Sequence, residues 1–544
     1  MIHTTHHARG GLVAGVLAAA LVLTACSGGE SKPPADASSA NKVVAEGEGV
    51  SLNEYGGAQL ERSEAKKGGS VRLGMMAPVD TLDPVMALST PGLNAASAIF
   101  DTLMEVGPQG EAIPGMAESL ESEDQVTWTM KLREGVKFTD GTPYDADAVV
   151  AHLKRYTAPE SQGRQAGVAR QIVEMNVVDP LTLEMKLAAP SVELPTIFTS
   201  SAGMVPSPTA VSKAGAGFGQ KPVGAGAFKL KSFQPGGDLV LERNDGYRDP
   251  ELPYLDEVVM VTATDTEARL SALKAGSLDL APTQSVTDFE DARAADLTVL
   301  QQPAYTYFYL ALNTSKPPFD DERVRKALLL GVDRQALATA VFEGKQPPME
   351  GYFTANHPEY VETDFPEFDA AEAKELVEEY VGEGGDPTFE LTSTSPPEFQ
   401  RQASVLQQML SDIGLEMKIR VSDQPTMITE AVAGNYTAQL RFIGVSLQAT
   451  TDLQGRFHSK SPANIAFGGD PEVDKLIEQL IVTPVEERGD LYRQVQESLT
   501  RWMPATPTVG QVGGWIASDK VGGFPGSKGE QTVDIIDMRH IWAS

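Results

Sequence analysis

Apolar and polar positions alternate most regularly between Val126 and Arg133, where Val126, Trp128, Met130 and Leu132 are separated by Thr127, Thr129, Lys131 and Arg133. A two-residue period places the apolar set on one face, so this stretch predicts a strand with one buried side. Val173, Met175 and Val177, followed by Leu181, Leu183, Met185 and Leu187 around Asp179-Pro180-Leu181-Thr182, predict a hairpin. Pro235-Gly236-Gly237-Asp238 turns a second one. Before them, 70–75 reads as a short strand closed by the turn Thr81-Leu82-Asp83-Pro84, and 93–104 as a helix. Thr142-Pro143 and Asp145 open another helix, which carries Val149, Val150 and Leu153. From Val258 onward strands alternate with helices: strand 258–261, helix 265–275 stopped by Gly276, strand 278–280, strand 305–313, then a helix capped by Asp320. Helices at 370–380, 398–412, 471–481 and 485–502 surround strands at 415–421 and 438–445. No repeat of 20 to 50 residues occurs. Such alternation predicts an α/β protein with mixed sheets.

The N-terminal pattern is different. Residues 12–23 form an apolar run of 12 residues, too short to cross ~30 Å of hydrocarbon, which takes about 20. Its length and position fit the apolar core of a cleaved export signal. Cys26, the one cysteine of the chain, follows Leu23-Thr24-Ala25, a placement that resembles the lipobox of bacterial lipoproteins. Residues 1–25 are therefore expected to be a signal peptide, Cys26 the lipidated residue, and the chain extracytoplasmic and held at the cell membrane. An uncleaved anchor, or a cleaved signal without lipid, is the alternative. Residues 26–68, rich in Ser, Gly, Pro, Ala and Glu, read as a flexible tether.

Composition narrows the function. A net charge of −31 argues against nucleic acid as a partner, because polyanions are bound through Lys/Arg clusters that the sequence lacks. A single cysteine allows no internal disulfide. The 544 residues exceed what one core supports and predict two or three lobes, and no later run of 18 apolar residues marks a permease. Gly-x-Ser-x-Gly, His-Glu-x-x-His and P-loop motifs are missing, leaving only chance pairs among 75 acidic residues for an exported hydrolase. Beyond the signal the histidines are His152, His357, His458 and His540, scattered without ligand spacing, so no metal or cofactor is expected. His458, near Arg456, reads as a surface histidine, with contact to a metal chelate as the alternative.

Several phrases in order along the chain carry a resemblance. They include Thr81-Leu82-Asp83-Pro84, the stretch from Trp128 to Phe138, Asp140-Gly141-Thr142-Pro143, Gly224-Ala225-Gly226-Ala227-Phe228 and Asn244-Asp245-Gly246-Tyr247. Leu310-Ala311-Leu312-Asn313, Pro317-Pro318-Phe319-Asp320-Asp321 and Arg323-Val324-Arg325-Lys326-Ala327-Leu328 continue the set. Together the chain resembles the family 5 extracellular solute-binding proteins, the peptide, nickel and opine type of ABC importer receptor. The resemblance implies an α/β, two-lobed, periplasmic-binding-protein-like (type II) fold with a hinge and an extra subdomain inserted in the first lobe. Lobe I would use 69–100, 186–304 and 505–544, the insertion 101–185, and lobe II 305–504. It also implies a monomer that hands a small organic or peptide-like solute to an ABC permease and ATPase complex. Arg323 and Arg325 read as a solvated helix face.

By the same resemblance Leu88, Ser89 and Thr90 present ligand-facing backbone, and the chain crosses between lobes at the strand that starts with Tyr305. Period 2 puts Tyr305 and Tyr307 on one face, and rings bearing a hydroxyl suit a cleft that closes over a solute; an ordinary half-buried strand is the alternative. Arg441 stands in an otherwise apolar strand and needs an anion or carbonyl partner, from ligand or from a structural salt bridge. Trp515 is a candidate for the pocket wall. Peptide receptors of the family carry an aromatic and then an Asp near 445–448, where this chain has Val445 and Gln448, with Asp452 four residues on. A buried ammonium without a carboxylate is poorly compensated, so a neutral or anionic solute or a blocked peptide is favoured. Three functions compete: a non-catalytic importer receptor, a surface sensor or adhesion lipoprotein, and the exported hydrolase.

Overall fold

The structure is a computed structural model. It describes residues 65–523 and 535–544, apart from Leu88, 108–110, 162, 164, 235, 356, 445–448, 462, 463 and 465. The signal, Cys26, nearly all of the tether, Leu88, Val445 and Gln448 lie outside the described residues.

Ten strands form one sheet. Across it they run Glu416–Val421, Thr388–Ser393, Ala438–Gly444, Thr298–Leu312, Ala505–Ala517, Leu280–Thr283, Ser70–Met75, Glu257–Thr262, Leu239–Arg243 and Phe228–Phe233. Two parallel triplets sit within it. Ser70–Met75 lies between Glu257–Thr262 and Leu280–Thr283, and Thr388–Ser393 lies between Glu416–Val421 and Ala438–Gly444. Parallel neighbours need a crossover, and helices supply it: Thr266–Lys274 in the first triplet, Pro397–Asp412 and Gln424–Val432 in the second. Each of Thr266–Lys274 and Gln424–Val432 begins on an aspartate, Asp265 or Asp423, whose carboxylate accepts a first-turn amide.

Between the triplets run two long antiparallel strands, Thr298–Leu312 and Ala505–Ala517. Their register slips between Gln302 and Thr306 and again between Tyr307 and Tyr309. A slip of this kind bends and twists a ladder locally. On one side of the slip Ala505–Ala517 pairs with Leu280–Thr283; on the other side Thr298–Leu312 pairs with Ala438–Gly444.

The cores follow from the faces. Leu310 and Leu312 enter a cluster with Leu328, Leu391 and Leu406, whereas Tyr307, Tyr309 and Ala311 enter another with Ile477, Val495 and Leu499. A separate four-stranded antiparallel sheet pairs Ala117–Glu121, Thr127–Leu132, Thr182–Leu187 and Ile172–Asp179 in that order. Trp128, Met130 and Leu132 are buried on its inner face with Leu183 and Met185, as the two-residue period requires.

Some elements differ from expectation. The helix expected at 93–104 is Thr90–Ile99, because Ser89 caps it and Pro91 fits its first turn, where no amide donor is needed. Asp321, not Asp320, caps Glu322–Gly331. Arg325 is not on a solvated face: it is 8% exposed and donates to the carbonyls of Trp502 at 3.0 Å and Phe319 at 2.9 Å. His458 is likewise buried, with Nδ1 accepting from Lys460 N at 3.2 Å and Nε2 3.4 Å from Glu478.

Candidate functional site

In open α/β sheets a ligand crevice forms beyond the carboxyl ends of the strands, where crossovers leave opposite ways. Both triplets point such ends at two adjoining cavities. One, of about 380 Å³, is lined by Met76 just past Ser70–Met75, by Thr283, Gln284 and Ser285 at the end of Leu280–Thr283, and by Lys345 and Arg401 from the other half. Its neighbour, of about 480 Å³, is lined by Thr394, Ser395 and Pro396 past Thr388–Ser393, by Ser422 and Asp423 past Glu416–Val421, and by Phe442. Gln284, Glu398 and Gln511 belong to both.

The two cavities differ in chemistry. Phe308 floors the larger one, with its ring centroid 5.2 Å from those of Phe399 and Phe442, while Met427 and Ile428 add aliphatic wall. The smaller is polar. Lys345 there is neutralised by Glu290 at 2.9 Å and Glu343 at 3.4 Å, and Thr283 Oγ1 donates to Asp288 at 2.5 Å. Glu398 and Arg401, in the first turns of Pro397–Asp412, make no ion pair or side-chain hydrogen bond with any described residue. Gln511 Oε1 is buried and has no hydrogen-bond donor.

The residues expected at the site fall in several places. Ser89 caps its helix, accepting from Gly92 N at 3.1 Å and donating to Asp80 Oδ1 at 2.6 Å. Thr90 opens the same helix, its carbonyl accepting from Asn94 Nδ2 at 3.3 Å. Tyr305 packs edge-on against His357, 5.4 Å between centroids. Its hydroxyl is buried without a hydrogen-bond partner, and burial pushes its pKa up to about 12. Tyr307 is core: 3% exposed, it donates to the carbonyl of Tyr352 at 2.9 Å. Trp515 is fully buried in the core of the Ser70–Met75 half. Arg441 borders the larger cavity, but it stands opposite Tyr309 while Phe442 stands opposite Phe308. Directly opposed residues share a face. The guanidinium therefore leaves on the Tyr309 side, where its charge acts on Tyr436, and it has no salt-bridge partner among the described residues.

Sequence reasoning missed Gln284, Phe308, Glu398, Phe399, Arg401, Phe442 and Gln511. Gln284 directly follows a parallel strand and Glu398, Phe399 and Arg401 open the helix after Thr388–Ser393, so marking the segments past each parallel strand would have reached these four; Phe308, Phe442 and Gln511 lie within strands. Among the described residues no group of three or more His, Cys, Asp or Glu could hold a metal ion.

Residues 111–463 match the family described as bacterial extracellular solute-binding proteins, family 5 Middle, well over half of the chain. The chain belongs to this family. Its members are binding proteins rather than enzymes, and this family 5 protein is an extracytoplasmic substrate-binding protein of the ABC-importer type. It is 28% identical over 445 residues to the glutathione-binding protein GsiB of Shigella flexneri, covering 79% of this chain and 86% of the relative. Among solved structures, the binding protein AgaA of A. tumefaciens R10 in complex with agropinic acid superposes with a TM-score of 0.77 at 24% identity, over 88% of this chain and 99% of that one. The peptide-binding DppA of Helicobacter pylori, in complex with the peptide STSA, gives 0.76 at 21% identity, over 89% and 99%. These likenesses establish the type II periplasmic-binding-protein fold for this chain.

Proposed function

We propose that this family 5 protein is tethered to the membrane through lipidated Cys26, captures a peptide-like or other small organic solute by closure of two lobes, and delivers it to an ABC permease. The observation that carries the reading is the pair of adjoining cavities at the carboxyl ends of both parallel triplets. Strand ends from two halves lining one space let a bound solute favour the closed arrangement by contacting both. The hinge falls at the register slip of the two long strands, with lobe I taken as 69–100, 186–304 and 505–544, the inserted subdomain 101–185 and lobe II 305–504, the start of Ala505–Ala517 crossing to lobe II, where Ala505 and Val509 pack. Tyr305, whose buried hydroxyl lacks a partner, lines neither cavity and is kept from the expected set as a candidate contact for a solute that reaches past them. Similarity to GsiB makes glutathione one solute to test. Tethering through Cys26 and the 26–68 segment raises the effective concentration of receptor at its permease.

Native mass spectrometry of the purified protein with a library of peptides and organic acids tests the capture step. A stoichiometric, unmodified ligand is the expected result; conversion of any bound compound, or no binding across the library, would overturn it. Anchoring is read separately: Cys26→Ser should move the protein from the membrane to the soluble fraction.

A further inference from the structure

The larger cavity has a largely aromatic and aliphatic floor. Phe308, Phe399 and Phe442 form a three-ring floor, and Met427 and Ile428 continue it to the rim, where Ile428 is 47% exposed. Aromatic and aliphatic walls of this kind gain free energy only when a ligand removes them from water with apolar surface of its own. Its 480 Å³ falls in the range of pockets that enclose small organic ligands. The adjoining cavity has the opposite character. There Lys345 already has two carboxylate partners and Arg269 donates to the carbonyls of Pro282 and Ala263, while Arg401 and Glu398 make no ion pair with any described residue.

We propose, resting on the reading of these cavities as the solute site, that the solute is a short peptide-like acid bearing a large apolar side chain, aromatic or branched aliphatic. That side chain fills the Phe308–Phe399–Phe442 cavity, and the solute's carboxylate lies toward Arg401. Gln284 and Gln511, common to both cavities, flank the amide backbone that joins the two ends, and Gln511 Oε1 supplies an acceptor for a solute N–H. This predicts discrimination against small polar peptides, glutathione included, because a polar group placed on the ring floor would lose its water without gaining a hydrogen bond.

Isothermal titration of the full mature protein in detergent, with the N-acetylated forms of trileucine, trileucine amide and triglycine and with glutathione, tests it, the acetyl group removing the ammonium that the chain is expected to compensate poorly. Acetylated trileucine should bind at least about tenfold tighter than acetylated triglycine and glutathione, since each buried methylene is worth roughly 10- to 200-fold. The amide should bind about tenfold more weakly than the acid. Ile428→Asp, at an exposed rim position, should erase the apolar preference, and Arg401→Gln, also exposed, should erase the acid-over-amide preference. Glutathione or acetylated triglycine binding as tightly as acetylated trileucine overturns the apolar assignment while leaving these cavities as the solute site. If none of the four binds, the solute-site reading falls with it.

Discussion

His152 shows how one buried side chain sets a pH response. It lies in the helix Ala146–Tyr156, 2% exposed, with Nε2 3.1 Å from the carbonyl of Ala202. Burial lowers its pKa to about 4, and the nearby charge of Arg155 adds to the effect. In the unfolded chain the same imidazole titrates near its ordinary value of about 6.5. Between those values the unfolded chain holds a proton that the folded chain refuses, so stability is full above pH ~6.5 and is lost as pH falls toward 4. The gap corresponds to ~3 kcal/mol. Urea unfolding at pH 7 and pH 4.5 should show wild type losing most of that amount relative to His152→Gln, which keeps a donor but does not titrate. Equal losses in the two proteins would show that the imidazole is not the titrating group. Comparing the pair isolates His152 from carboxylates such as Asp140, held low by hydrogen bonds from Thr142 and Ser207 despite its partial burial.

At the scale of elements, the Gly224-Ala225-Gly226-Ala227-Phe228 phrase has a steric cause. Gly226 N donates to the carbonyl of Ile99 at 2.8 Å, at the end of the helix Thr90–Ile99. A Cβ on Gly226 would lie 2.6 Å from that carbonyl carbon, and one on Gly224 would meet Phe100 Cδ1 at 2.6 Å. Two residues without side chains are what let the segment lie against the helix end. Gly226→Ala should cost about 1–3 kcal/mol by overpacking, measured as a lower urea midpoint at unchanged slope; a loss under a few tenths would mean the backbone moves aside freely. Much of the architecture was legible at this scale. The Thr127–Leu132 strand and the Asp145 and Asp265 helix starts follow from period and capping alone. The long strand Ala505–Ala517 was not, because it is buried on both faces for most of its length and carries Gly510, Gly513 and Gly514, so no alternation marks it. Thr388–Ser393 was missed as well, and with it the cavity residues beyond its carboxyl end. Phe308 and Phe442 looked like ordinary strand apolars, since their value to a ligand depends on Phe399 arriving from a helix distant from both in sequence.

Across the whole molecule, one buried ion pair ties distant parts of the chain. Glu193 precedes Leu194, Ile197 and Phe198 in the core of the four-stranded sheet, and Arg488 precedes the helix Gly489–Trp502. The two residues are 5% and 4% exposed and form a direct salt bridge. Arg488 also donates to Thr450 Oγ1 at 3.1 Å and to the carbonyl of Thr483 at 2.8 Å, while Val192 N donates to Ile481 O at 3.0 Å alongside. Burial pushes the Glu193 carboxyl upward against the pull of Arg488, so desolvation takes back much of what the attraction gives. The pair is therefore asymmetric in what its loss does. Glu193→Ala strands a buried guanidinium and should cost about 3–5 kcal/mol, whereas Glu193→Leu combined with Arg488→Met should return to within ~1 kcal/mol of wild type or exceed it. Urea unfolding of both variants beside wild type measures the difference. If the double variant is as unstable as Glu193→Ala, the hydrogen bonds of Arg488 to Thr450 and Thr483, rather than the charge pair, hold this junction together.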